Sequence, residues 1–234
     1  MAMKEICLNN NAIEAWVADK VGTDAWDAFL SSTKTDIVSA VACFKSFIDF
    51  GESIDYSCAI IPVMKALEYE LRIRFYDPYV RFLSEHYSAE QYADSILPDE
   101  YKDDHRKAAK LKYKIVQYDN GLQYVNANEE NQFSLGNFCH SVRTSARKGN
   151  RKEPHIDRPF IEYCSQVLFA KESISNTKLR NWIINIVDQT ERQIHVRNSS
   201  AHGAEIQNQK AAERAIREVV TSGKLLAVIV KPTF

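Results

Sequence analysis

An arginine and a histidine near the C-terminal end of the sequence have the side chains needed to cleave a phosphodiester bond. They are Arg197 and His202, five residues apart. An arginine fork can bind a phosphate and stabilise charge that accumulates on it, and a histidine side chain, with an unperturbed pKa of about 6.5, exchanges protons near neutral pH. Attack of a ribose 2′-hydroxyl on the adjacent phosphorus requires proton transfer and charge neutralisation, and this scheme requires no metal.

The spacing of this pair sets a condition on the backbone. On an unbroken helix, five steps of 100° would leave the two residues about 140° apart around the axis. The residues around them include types that favour helix ends and caps, namely Asn198, Ser199, Ser200 and Gly203. We therefore predict that a helix ends at about Val196 and that the chain breaks there, so that both side chains face one cleft.

Periodic apolar residues predict the elements that position this segment. Three- and four-residue spacings predict helices at about residues 24–30, 37–48, 55–76, 134–142, 155–170, 176–196 and 206–220. Asp77-Pro78 disfavours continuation of the third of them. The apolar tail Leu225 to Val230 fits either an extension of the last helix or a short strand. With only 7 Gly and 6 Pro in 234 residues, the chain is predicted to be all-α.

Charge and cysteine content limit the classes of function. The net charge of −1 comes from 30 basic and 31 acidic residues, so any site for a polyanion must be local. The cysteines are odd in number and widely spaced, which predicts buried free thiols in a reducing compartment rather than a disulfide framework. They are Cys7, Cys43, Cys58, Cys139 and Cys164.

Neither end of the sequence has the features of a membrane or secretory segment. Met1 to Asn11 lacks the zones of a signal peptide. The longest clean apolar run, Leu225 to Val230, is far shorter than the roughly 20 residues that span a bilayer. We therefore predict a cytoplasmic protein without a membrane partner.

One stretch is locally basic and is a candidate for RNA binding. Residues 143–152 contain no acidic residue, and such a loop can follow a phosphate backbone, although a solvated basic loop is the plain alternative. Its cationic residues are Arg143, Arg147, Lys148, Arg151 and Lys152.

Three residues are candidates for supporting roles near Arg197. Glu68 could pair with Arg72 on the helix surface or point toward Arg197 and orient it. His195 lies one turn before Ser199, and both could line the cleft, although an exposed helical histidine is more often inert.

We predict no metal or cofactor. Cys139-His140 has no paired Cys-x-x-Cys or His-x3-5-His partner and is interpreted as core.

The segment Val196 to Gly203 resembles the Arg-x4-6-His signature of the HEPN superfamily, in which a polar residue, commonly Asn, follows the Arg. Lys65 to Leu71 and Ser134 to Gly136 also resemble segments of HEPN-like proteins, so the likeness covers about residues 53–222. It implies a helical bundle, a homodimer with the two motifs facing each other, and RNA cleavage that leaves a 2′,3′-cyclic phosphate.

The same resemblance implies roles for individual residues. Arg197 would be the phosphate clamp, Asn198 an orienting hydrogen-bond partner and His202 the proton-transfer group. Some members carry a modified Tyr two residues after the His, where this chain has Ala204, so that form of regulation is not expected. Residues 1–52 would form an N-terminal helical extension packed on a HEPN-like domain at 53–234, with an irregular insertion at about 98–131.

The resulting hypothesis is a metal-independent endoribonuclease. By family analogy it would be an effector of a bacterial defence or toxin–antitoxin system, with an antitoxin or other defence protein as a partner. Two alternatives stay open: a non-catalytic module that binds RNA, a nucleotide or a protein, and a purely structural helical domain.

Overall fold

The computed structural model describes residues 9–87, 106, 134–136, 138–139, 162–169, 174–202, 206–221 and 223–231, with the backbone alone for Val80, Ser84, Asn176, Ala201 and His202. Within these ranges the regular structure is helical and no strand occurs, so the all-α prediction is confirmed there. The predicted RNA-binding residues Arg143, Arg147, Lys148, Arg151 and Lys152, and all of the predicted insertion except Arg106, lie outside the described residues.

Short stretches of sequence connect the first five described helices to one another, and likewise the last three. They are α1 (Asn10–Val21), α2 (Thr23–Ala28), α3 (Ser31–Phe47), α4 (Ser57–Leu71), α5 (Asp77–His86), α6 (Asn176–His202), α7 (Gln209–Val219) and α8 (Leu225–Val230). A 3-10 segment, Ile48–Ser53, follows α3, and π-helical turns lie at Arg72–Tyr76 and Cys164–Leu168. Among the described helices, none combines the length and the apolar character that crossing a membrane requires.

Two local predictions are settled by these boundaries. The helix of α4 does give way near Tyr76, but the chain continues directly into α5, where Pro78 lies in the first turn. Proline is tolerated there because the first N–H groups of a helix have no partner within it. The apolar tail is a separate short helix, α8, preceded by Lys224 with a φ of 51°.

Helix α1 was not predicted from the sequence. Its start is capped by Asn9, whose side-chain oxygen accepts a hydrogen bond from the Ala12 N–H at 3.2 Å. Gly22 ends it with a φ of 95°, a conformation that favours glycine. The buried face consists of Ile13, Trp16, Val17 and Val21. This three- and four-residue spacing is helical, so the sequence contained a signal for α1 although no helix was predicted before residue 24.

The chain divides into two compact units, Met1–Arg74 with Asp188–Thr233, and Phe75–Val187 with Phe234. In the first unit, α3 packs along α4, and α1, α7 and α8 cover the pair. Fully buried side chains at its centre include Ile37, Val41, Phe44, Ile60, Met64, Leu67 and Ile216. Each contributes roughly 1.5 to 3 kcal/mol by leaving water.

The second unit contains an aromatic cluster around Phe75. Its ring lies edge-on to Phe138, with centroids 5.4 Å apart, and to Tyr163, at 5.9 Å. The Tyr163 hydroxyl donates to the Phe75 carbonyl oxygen at 3.1 Å, and burial raises the pKa of that hydroxyl. Cys139 and Cys164 are buried and form no disulfide, as the sequence predicted for them.

Cys43 and Cys58 contradict the prediction of free thiols because they form a disulfide. The bond joins α3 to the first turn of α4, across 15 residues of sequence. The packing of the two helices brings the Cα atoms to 6.3 Å, within the range that a disulfide spans. Spacing in the sequence gave no sign of this proximity.

A buried carboxylate ties the junction of α2 and α3 to α4. Glu70 is fully buried, and its Oε1 accepts a hydrogen bond from the Leu30 N–H at 2.9 Å. Its Oε2 accepts from Arg74 Nε, and the same guanidinium donates to the Ala28 carbonyl oxygen. The Glu70–Arg74 pair has the i,i+4 spacing of an ion pair on a helix surface, but its carboxylate is in the core.

Candidate functional site

The segment that carries the predicted catalytic residues lies inside a helix. Helix α6 runs unbroken to His202, so the predicted break beginning at about Val196 is wrong. Ser200 is accommodated because its hydroxyl donates to the Val196 carbonyl oxygen, four residues earlier, at 2.7 Å. A non-helical connection occupies residues 206–208 instead. Asn208 then caps α7, its side chain accepting from the Ala211 N–H at 2.9 Å.

Continuity of α6 changes which residues share a face. Arg197 and His202 lie about 140° apart around the helix axis, so no break brings them to one cleft within a chain. Position 202 comes seven residues after His195 and is only about 20° from it in azimuth. His195 and Asn198 are exposed, and Ser199 is half-buried. The predicted histidine position therefore shares a helix face with His195, Asn198 and Ser199.

Arg197 points instead to α4. Its Nε donates to Oε1 of Glu68 at 3.1 Å, a contact between residues 129 apart in sequence. The sequence left open whether Glu68 pairs with Arg72 on the helix surface or points toward Arg197. The observed contact is with Arg197, and it would orient this guanidinium. The Arg197 side chain keeps 36% of its accessible surface and that of Glu68 keeps 24%. The ion pair therefore lies at the rim of the helix packing, in reach of solvent.

The outer edge of the Arg197 guanidinium has no hydrogen bond to any of the described residues. Within the described part of the chain, its hydrogen bond is made through Nε, and neither Nη group donates to a protein atom. A guanidinium held through one nitrogen and open along its other edge can bind two oxygens of a phosphate. Glu68 thus fixes the side chain without using the atoms that would bind an anion.

A second polar network fixes α6 one turn before Arg197. Gln193 donates through Nε2 to Oε2 of Glu218 on α7 at 2.7 Å, and Arg214 donates through Nε to the other carboxylate oxygen at 2.7 Å. Burial acts to raise the pKa of Glu218, but the hydrogen bonds from Arg214 and Gln193 outweigh it, so this pKa is lowered. The network holds α6 and α7 together beside the candidate site.

A backbone clamp holds the chain just beyond His202. Tyr56 N–H donates to the Gln207 carbonyl oxygen at 2.9 Å, and Gln207 N–H donates to Oδ1 of Asp55 at 3.1 Å. These residues are about 150 positions apart in sequence, and sequence reasoning missed them. Asp55 followed by Ser57 is a local signal for a capped helix start, but nothing local points to Gln207.

The other candidates stand as follows. The basic residues of 143–152 lie outside the described part of the chain. For His202 the structure describes the backbone and not the side chain. Groups of three or more His, Cys, Asp or Glu that could hold a metal ion do not occur among the described residues. No family model, no curated protein and no solved structure matches the chain.

Proposed function

We propose that the protein is a metal-independent endoribonuclease of HEPN type that cleaves RNA by attack of the 2′-hydroxyl on the adjacent phosphorus. The observation that carries the proposal is the Arg197–Glu68 pair, which orients a guanidinium on the helix that also bears His202 and uses Nε, not the outer Nη groups, in its contact with the carboxylate. The resemblance of residues 196–203 to the HEPN signature supplies the reaction class.

In the proposed reaction, the two Nη groups of Arg197 bind the non-bridging phosphate oxygens. A base removes the proton of the 2′-hydroxyl as the bond from that oxygen to phosphorus forms. An acid delivers a proton to the 5′-oxygen as its bond to phosphorus breaks, leaving a 2′,3′-cyclic phosphate. His202 serves in proton transfer, which supplies about 10² to 10⁴ in rate in such reactions. Asn198 orients the substrate by hydrogen bonding.

A homodimer completes this site in the proposal. Positions 197 and 202 lie on different faces of one helix. A phosphate in contact with both kinds of side chain would therefore bind Arg197 of one copy and a histidine of another. A two-fold axis along the exposed face of α6 would also bring two histidines together, which provides both an acid and a base. His195 and Ser199, on that face, would contact RNA, with further phosphates held by the basic residues of 143–152.

The biological role in the proposal follows the same resemblance. A ribonuclease of this kind would be an effector of a bacterial defence or toxin–antitoxin system, working in the cytoplasm and restrained by an antitoxin or other defence protein. The alternative, a module that binds RNA, a nucleotide or a protein without cleaving RNA, is an outcome of the test below.

The direct test is incubation of the purified protein with mixed RNA in excess EDTA. We expect cleavage with 2′,3′-cyclic ends, and a fall of at least about 100-fold in rate for His202→Ala. Arg197→Ala should be similarly impaired. Arg192→Ala is a matched control, because Arg192 is an exposed arginine on the same helix.

Three results would contradict the proposal: loss of cleavage on chelation, unchanged cleavage in the His202 and Arg197 variants, or saturable RNA binding without any product. The last of these would favour the binding module.

A further inference from the structure

The disulfide and the backbone clamp meet at the start of α4. Cys43 and Cys58 close a loop that contains the end of α3, the 3-10 segment, and both residues of the clamp, Asp55 and Tyr56. Cys58 lies in the first turn of α4, three residues from Asp55. The bond therefore constrains the part of the chain that grips Gln207.

The clamp is a paired contact rather than a single hydrogen bond. Gln207 is buried and both its N–H and its carbonyl oxygen are used, by Asp55 and Tyr56 respectively. Asp55 Oδ1 also accepts from the Ser57 N–H at 3.0 Å and the Ser57 hydroxyl at 2.8 Å. Its orientation thus depends on the first turn of α4 being formed.

The disulfide loop also has contacts of its own, among them the hydrogen bond from the Ser53 hydroxyl to the Phe50 carbonyl oxygen at 2.7 Å and the contact of the Phe44 and Tyr56 rings, with centroids 5.8 Å apart. The buried Tyr56 hydroxyl donates to the Phe47 carbonyl oxygen at 2.6 Å, which ties the clamp to the end of α3. Gly51 adopts a φ of 62° in the middle of the loop, a conformation that marks a turn rather than a continuous helix. Opening the disulfide would remove the covalent closure of this loop, whose two ends are 15 positions apart in sequence, and so allow it a larger set of conformations.

The bond lies where a reductant can reach it. Cys58 is exposed and Cys43 is half-buried, in contrast to the buried thiols of Cys139 and Cys164. Thiol exchange requires a thiolate to approach one of the two sulfur atoms, so accessibility decides which cysteines take part.

We propose that Cys43–Cys58 is a redox-controlled lock on the connection between α6 and α7. Two equivalents of a thiol reductant, acting through a mixed disulfide, convert the bond to two thiols and are themselves oxidised to a disulfide. In the oxidised protein the loop grips Gln207 and so fixes the chain five residues after His202. In the reduced protein the grip on Gln207 is loosened. We further expect reduction to lower the rate of RNA cleavage, and this expectation rests on the proposed function.

Amide hydrogen exchange of the full-length protein tests the lock directly. We compare oxidised protein, protein reduced with dithiothreitol and alkylated, and the Cys43→Ser/Cys58→Ser double variant. The Tyr56 and Gln207 amides should exchange about 10-fold faster or more in the last two, because opening of a local unit becomes easier. The amide of Val17, in α1, serves as the internal reference.

Two controls make the result specific. Dithiothreitol should produce no further change in the double variant, and Asp55→Asn should weaken protection of Gln207 with the disulfide intact. Unchanged protection of Tyr56 and Gln207, in protein that has released two additional thiols, would overturn the lock. Should the double variant fail to fold, the chemically reduced protein gives the same comparison.

RNA cleavage is measured in parallel and separates the two proposals. Faster exchange with slower cleavage on reduction supports both. Faster exchange with no cleavage in either redox state leaves the lock in place and overturns the ribonuclease.

Discussion

Arg197 on α6 is held by Glu68 on α4 through a 3.1 Å contact between Nε and Oε1, although the two residues are 129 apart in the sequence. The carboxylate approaches Nε, the inner nitrogen of the guanidinium, and among the described residues neither Nη group has a hydrogen-bond partner. This relationship gives the proposed phosphate clamp a fixed direction. It also makes Glu68 a positioning residue in the proposed reaction, since it acts through Arg197.

Glu68→Gln should impair cleavage much more than it impairs folding. Misplacement of a reacting group can cost up to about 100-fold in rate, whereas an exposed ion pair contributes only about 0 to 1 kcal/mol to stability. We expect kcat to fall, with Tm almost unchanged, and partial rescue by Glu68→Asp. Steady-state kinetics and thermal melts measure the two effects, with Glu14→Gln, on the exposed face of α1, as control. Equal cleavage rates in Glu68→Gln and Glu14→Gln would exclude a positioning role for Glu68.

His195→Ala should have a weaker effect than His202→Ala. Position 195 shares a face with position 202, but two helical turns separate them, so His195 would contact RNA away from the scissile phosphate. We expect KM to rise by about 10-fold or less, as for loss of one contact of about 1.4 kcal/mol, with kcat unchanged. A fall in kcat equal to that of His202→Ala would instead make His195 a proton-transfer group.

Glu70→Gln should destabilise the protein without any direct effect on the site. The substitution leaves the Arg74 guanidinium without its buried counter-charge. The Arg74 side chain keeps 30% of its surface exposed. We therefore expect the free energy of unfolding to fall by about 2 to 4 kcal/mol, which is less than the full cost of breaking a buried ion pair. Urea unfolding measures this, with Glu14→Gln again as control. A loss below about 0.5 kcal/mol would mean that water compensates the guanidinium.

The Gln207 clamp should be sensitive to acid. Burial acts to raise the pKa of Asp55, but hydrogen bonds from Ser57 and Gln207 outweigh it and the pKa is lowered. A carboxyl with a lowered pKa stabilises the folded state above its ordinary pKa of about 3.9 and loses that contribution as the pH falls through the folded value. Protection of the Gln207 amide should therefore decline below about pH 4. Asp55→Asn should show weak protection that does not vary with pH in this window.

The proposed site should depend on association of two chains. If Arg197 and a histidine come from different copies, cleavage per chain should rise with protein concentration until the dimer is saturated. Sedimentation equilibrium and cleavage assays over one concentration series measure both quantities. A monomer whose specific activity is independent of concentration would argue against a site shared between copies.

Local patterns in the sequence determined the helical class and the main helices. The apolar spacing in α4 and α6 and the cap residues of α7 are local signals, because a helix satisfies its backbone groups within a few residues. The same reasoning placed a helix end at Val196, where Asn and Ser favour caps. Packing overrode that preference, and the hydroxyl of Ser200 bonds within the helix instead.

What the sequence by itself determined, then, was the set of helices and the residue types that could act on a phosphate. The tertiary structure alone decided that Arg197 meets Glu68, that Cys43 meets Cys58, that Glu70 is buried, and that Gln207 is held by Asp55. The physical reason is that helix formation depends on neighbours three and four residues away. The partner of a side chain depends instead on how whole helices pack, which no short stretch of sequence encodes.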